Sequence, residues 1–128
     1  MNETVKEWVT KAGADFATAG RELSAEERPN YDAVCFHAQQ CVEKLMKGLL
    51  ILGRVIPPKS HDLPQLGELI AKAYPQWSWP IEELRFLTRA AVDFRYPGEA
   101  ADRKEAQGAL DIASRMREKL LSLLQEPA

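Results

Sequence analysis

Three groups of side chains in this sequence have the types and spacing for phosphate or proton chemistry. The first is His37, Gln40, Lys44 and Lys47, spaced three, four and three, which a helix sets along one line. Such a line suits a nucleotide or RNA groove; the plainer reading is a solvated face or the rim of a dimer. The second is Arg89 with Arg95 and Tyr96, the last two directly before Pro97 and Gly98. A guanidinium at a proline-fixed turn can hold a phosphate by bidentate contact, with the tyrosine ring stacking on a base. Alternatively, Arg95 pairs with a carboxylate such as Asp15 or Glu43 inside the fold, and this is the favoured reading. The third is His61, a general base or phosphate ligand, or else a residue packed near a helix start. Arg54 and His61 also flank six residues, but they lie in a loop with two prolines, which gives no reason to hold both side chains on one site.

Prolines and glycines cut the chain into five helical pieces. The first runs from about Glu3 to Leu23, with Val5, Trp8, Val9, Ala12, Phe16 and Ala19 on one side. The second, through Tyr31–Leu50 and on to about Leu52, has apolar lines on more than one side. It is therefore read as the central helix. Pro29 is expected in its first turn, and Gly53 with Pro57 and Pro58 at its end. The third starts near Ser60 or Asp62, the fourth near Ser78 and Pro80, and the last spans roughly Glu99 to Leu124. Nothing alternates as a strand would. The expected fold is all-α, an up-and-down helical bundle of about five helices forming one domain over residues 1–128.

On the central helix, Gln39, Gln40, Glu43 and Lys44 sit between apolar lines, so they should pair with one another or across an interface. Glu43 and Lys47 are an i, i+4 pair in the favourable order. This points to a structural network at a dimer interface. Trp77 and Trp79, in a turn near Tyr74, would stack on bases if exposed, or else close the end of the bundle.

The charge balance, 17 basic against 19 acidic residues, gives no overall pull toward nucleic acid or acidic membranes. Cys35 and Cys41 lie about 9 Å apart along a helix axis, beyond the roughly 7 Å a disulfide allows. They read as small buried hydrophobes of a reducing compartment. No metal or cofactor pattern is present. There is no stretch long and apolar enough for a membrane, and no secretory signal, so a cytoplasmic location is expected.

Three motifs in order carry a resemblance. The run FHAQQCVEKLMKGLL, the passage GRVIPPKSHDLPQL and the ending AVDFRYPG are similar to the second helix, the following loop and the end of the fourth helix of HEPN domains. The opening with Trp8 and KAGADFATA fits as well. The resemblance implies a dimerising helical bundle. It also implies one of three roles: ribonuclease toxin, partner of a minimal nucleotidyltransferase in a toxin–antitoxin pair, or non-catalytic binding or scaffold module. The ribonucleases carry an arginine and, after four to six intervening residues, a histidine near the end of helix four. Arg89 matches the arginine. From Asp93 through Phe94 and Arg95 to Tyr96 no histidine stands where one is required, and none of these side chains can replace an imidazole near neutral pH. The expectation is thus a non-catalytic module that forms a homodimer and binds a nucleotide, or RNA, or a minimal nucleotidyltransferase partner. Arg89, Arg95, Tyr96, His61 and Lys44 are its candidate phosphate- or nucleotide-binding residues, and no residue is assigned a catalytic role. The alternatives are a ribonuclease toxin whose relocated site uses His61 or His37 with Arg89 or Arg95, and a helical scaffold without ligand.

Overall fold

The computed structural model describes residues 1–125; the last three residues of the expected domain lie outside the described residues. Five helices follow in order: α1 Glu3–Leu23, α2 Tyr31–Leu52, α3 Leu63–Ala73, α4 Ile81–Asp93 and α5 Arg103–Gln125. No strand occurs among the described residues. Helix α2 packs against each of the other four, most extensively against α1 and α5. Its buried residues run around its whole circumference, from Val34 and Cys35 through Leu45 and Met46 to Leu50. The multi-sided apolar pattern of α2 is therefore satisfied inside one chain. It gives no argument for self-association.

The helix ends follow from local chemistry. Asn2 Oδ1 accepts from Val5 N at 2.9 Å, and Asn30 Oδ1 from Ala33 N at 3.0 Å, each satisfying a first-turn donor. Pro29 precedes the Asn30 cap and so lies outside the first turn of α2. Pro80, not Ser78, occupies the cap position of α4. Helix α5 starts four residues later than expected, because Asp102 and Glu105 exchange reciprocal backbone-to-side-chain bonds of 2.7 and 3.0 Å, a capping box. Ahead of it, Ala101 N donates to Asp32 Oδ1 at 2.7 Å, fastening the α4–α5 loop to the start of α2.

The end of α2 shows a trade. Val55 N bonds to Leu50 O and Arg54 N to Ile51 O, a Schellman closure. The left-handed position in it is held by Arg54 at φ 63°, not by glycine. Gly53 stands one residue earlier because a Cβ there would come within 3.2 Å of the Tyr74 hydroxyl, which itself donates to Leu49 O. Tyr74, with the near-parallel Trp77 and Trp79 rings at 6.3 Å, belongs to the closed end of the bundle. Trp77 is buried, so these aromatics pack instead of offering a platform.

The closure of α2 leads into the loop that carries His61. Ser60 Oγ accepts from Asp62 N, Thr88 Oγ1 from Leu63 N, and Leu63 is fully buried. The segment before α3 is thus tied to α4, and His61 is set between α2 and α4.

Candidate functional site

At the centre of α2, the Glu43 carboxylate gathers four donors. Oε1 accepts from His61 Nδ1 at 2.8 Å and Gln39 Nε2 at 3.0 Å, with Gln40 Nε2 at 3.4 Å; Oε2 accepts from Lys47 Nζ at 3.1 Å. Gln39 Nε2 also donates to His61 O at 3.1 Å, and Gln40 Nε2 to Gln39 Oε1 at 2.8 Å. Burial pushes the Glu43 carboxyl up, but the hydrogen bonds from Gln39, His61 and Lys47 and the Lys47 charge outweigh it and hold it below its ordinary value. The ring of His61 is 75% exposed although its Nδ1 is fixed on a buried carboxylate. Facing that oxygen, Nδ1 carries a proton, and Nε2 is left without a partner among the described residues, a donor to an anion when the ring is protonated and an acceptor when it is not.

A second cluster lies where α1 meets α2. Asp15 Oδ1 faces His37 Nδ1 at 2.8 Å, and Oδ2 accepts from Lys44 Nζ. The expected single line His37, Gln40, Lys44 and Lys47 is therefore divided. His37 and Lys44 turn to Asp15, while Gln40 and Lys47 turn to Glu43. Neither group is a solvated face, because Asp15, Glu43 and Lys47 are all buried.

Arg95 has no carboxylate partner among the described residues. Its guanidinium carbon lies 5.3 Å from the centre of the Phe36 ring, and the residue is exposed. The buried pairing favoured from sequence fails for a clear reason: both carboxylates named for it are already taken, Asp15 by His37 and Lys44, Glu43 by His61 and Lys47. Two surface hollows share the Phe36–Arg95 pair. One, of about 140 Å³, is lined also by Gln39, Gln40, His61 and Val92. The other, of about 430 Å³, is lined by Asn30, Asp32, His37 and Phe94.

Five helices with this motif order fit a known type. A family model described as HEPN domain matches residues 5–123. The chain belongs to the HEPN domain family. Its fold is similar to that of TT1696 from Thermus thermophilus, with a TM-score of 0.75 and 24% identity over 96% of this chain and 99% of that one. It is also similar to ST0689, an archaeal HEPN homologue, with a TM-score of 0.69 and 22% identity over 98% of this chain and 100% of that one. No curated protein matches the sequence.

Of the five residues singled out by sequence in this HEPN domain, His61 and Arg95 line one hollow. Lys44 does not join them; its charge is engaged by Asp15. Arg89 is exposed, and Tyr96 is exposed and lines neither hollow. Phe36, the floor beneath Arg95, reads from sequence only as part of an apolar line. Asp32, whose carboxylate holds the Ala101 amide, gives no signal that sequence can show, because its partner lies 69 residues away.

Cys35 and Cys41 are free and buried, and burial pushes both thiols up to about 12, which leaves them protonated and unreactive near neutral pH. Among the described residues, no group of His, Cys, Asp or Glu side chains could hold a metal ion. None of the described helices is long and apolar enough to cross a membrane.

Proposed function

We propose that the chain acts as a single, non-catalytic HEPN unit of the cytoplasm that binds the phosphate of a nucleotide at Arg95. The observation that carries this reading is Arg95 itself: a guanidinium laid over Phe36, exposed, without a carboxylate among the described residues, and bordered by two hollows. Contact with the ring restrains the side chain, so less freedom is lost when its two donors meet a phosphate. His61 adds a second nitrogen to the smaller hollow, Nε2, which donates to a phosphate when the ring is protonated and is held in place from behind by Glu43. Titration with nucleoside monophosphates tests the reading. Arg95→Ala should lower affinity about tenfold or more, the worth of one charge-assisted hydrogen bond, with little change in melting temperature. Loss of stability with unchanged affinity would reject it.

The unit would work as a homodimer or beside a minimal nucleotidyltransferase of toxin–antitoxin type, as its family resemblance implies. Support comes from the outer row of α4 and the turn after it, where Ile81, Val92 and Tyr96 are exposed, the last by 63%. Large apolar groups along one helix suit an interface with a second protein. Sedimentation should give a species twice the 14.4 kDa chain, and Val92→Glu with Tyr96→Glu should return it to monomer.

A second reading, a ribonuclease with a relocated site, has one observation in its favour. The His61 Nε2 is free to take a proton in the same hollow that holds Arg95. No second acid accompanies it among the residues lining that hollow, and no histidine stands among Asp93, Phe94, Arg95 and Tyr96 after Arg89, where the family motif needs one. Incubation with single-stranded RNA should leave the strand intact. Cleavage that His61→Ala abolished in a folded protein would establish this reading in place of the first.

A further inference from the structure

Resting on the reading of Arg95 as a phosphate ligand, we propose that the ligand is a ribonucleotide lying across the Phe36–Arg95 pair. Its phosphate sits beside His61 and its sugar against Asp32. The two hollows meet at that pair but differ in size and charge. The smaller, of about 140 Å³, has Arg95 and His61 as its ionisable lining and no carboxylate on its wall, Glu43 being buried behind His61. The larger, of about 430 Å³, carries Asp32 and Asn30 on its wall together with two aromatic rings, Phe36 and Phe94, and with His37, whose Nδ1 is taken by Asp15. A carboxylate repels a phosphate and accepts hydrogen bonds from hydroxyls, so the two ends of a nucleotide are told apart.

Asp32 is suited to this role. Its Oδ1 is fixed by the Ala101 amide at 2.7 Å, and its Oδ2 makes no hydrogen bond among the described residues. The side chain is therefore oriented while half of its accepting capacity is open. A ribose presents a 2′-hydroxyl donor that a deoxyribose lacks. Phe94, the ring of that hollow not covered by Arg95, supplies an apolar wall for the base whatever its identity. Asp32 is thus a specificity-determining residue that separates ribonucleotides from deoxyribonucleotides, and Arg95 supplies the affinity common to both.

The test is calorimetric titration of the full chain with AMP, GMP, CMP and UMP and with their 2′-deoxy counterparts. It is repeated on Asp32→Asn, which keeps an oxygen for the Ala101 amide, and on Arg95→Ala. The tightest ribonucleotide should bind about tenfold more tightly than its deoxy form, as one hydrogen bond to a charged group is worth. Asp32→Asn should narrow that gap while leaving deoxy affinity intact or improved, and Arg95→Ala should weaken both forms alike. Equal affinity for the two sugars, or a gap untouched by Asp32→Asn, overturns the assignment of Asp32 and leaves the Arg95 site standing. Absence of binding by every nucleotide, or binding indifferent to Arg95→Ala, overturns the phosphate site and the ribose assignment together.

Discussion

Asp15 and Glu43 each hold a histidine Nδ1 at 2.8 Å on one oxygen and a lysine Nζ on the other. The two clusters share a composition and differ in where the chain puts them. Around Asp15 the exposures are graded, 11% for the acid, 25% for Lys44 and 30% for His37. Around Glu43 they are polarised: the acid and Lys47 are shut in at 5% and 9%, and His61 stands out at 75%. The first cluster is a clasp between α1 and α2, wet at its rim. The second is a sealed ion pair carrying a histidine into solvent on a buried stalk. The same three functional groups, carboxylate, imidazole and ammonium, thus yield a tether in one place and a presented imidazole in the other.

The largest expected effect tests the sealing of the second cluster. Glu43→Ala leaves the Lys47 ammonium buried without its counter-ion, a change that costs about 3–5 kcal/mol. Urea unfolding should show it as a fall in midpoint at nearly unchanged slope. Adding Lys47→Met should recover most of the loss, since removing both charges of a buried pair is often close to neutral. A single variant as stable as the parent would break the contrast with Asp15. The clasp should respond less. Asp15→Asn gives up two charge-assisted hydrogen bonds but leaves His37 and Lys44 able to reach water, so the loss should be about 1.5–3 kcal/mol. Equal losses at the two acids would mean that burial does not separate them.

This division also marks what can be read from the sequence. The five helices follow from periodicity and from punctuation by proline and glycine, because helical order is local and repeats every few residues. The Glu43–Lys47 pair is legible for the same reason, being four residues apart on one helix. His61 on Glu43 and His37 on Asp15 are not, because they join residues 18 and 22 apart on different segments. The fate of Arg95 is misread in the same way. Asp15 and Glu43 look available until the structure brings two histidines to them, and that occupancy is what leaves Arg95 on Phe36. The start of α5 is missed despite a local signal: Asp102 and Glu105 have capping-box spacing, with aspartate in the place more often given to serine or threonine.

Acid should weaken the Glu43 cluster, by a smaller amount than the substitutions. The Glu43 carboxyl is held below its ordinary value, with hydrogen bonds and the Lys47 charge overcoming the upward push of burial. A lowered acid contributes stability that is fully present above its unfolded value, 4.5, and is lost as pH falls toward the folded one. Thermal melts of the parent should therefore decline below about pH 4.5. Part of that decline should be absent from the Glu43→Ala, Lys47→Met double variant. Identical pH profiles for the two proteins would show that Glu43 contributes nothing to acid unfolding.

The smallest effect on stability is expected at the exposed end of the stalk. His61→Gln keeps a side chain that can reach Glu43, and three-quarters of the imidazole lies in solvent. An exposed contact of this kind is worth under about 1 kcal/mol. Glu43 also retains Gln39, Gln40 and Lys47, so no buried charge is left alone. The melting temperature should barely move. Nucleotide affinity should fall, and by less than for Arg95→Ala, because the imidazole adds to a phosphate site whose permanent charge is the guanidinium. His37→Gln gives the opposite pattern: it loosens the α1–α2 clasp, so melting should drop measurably. Its ring is committed to Asp15 at the edge of the larger hollow, so phosphate affinity should hold. If both histidine variants changed the same quantity, the polarised exposure of the Glu43 cluster would have no functional meaning. If they divide as expected, a buried ion pair in this fold serves to hold one ring in place at the surface.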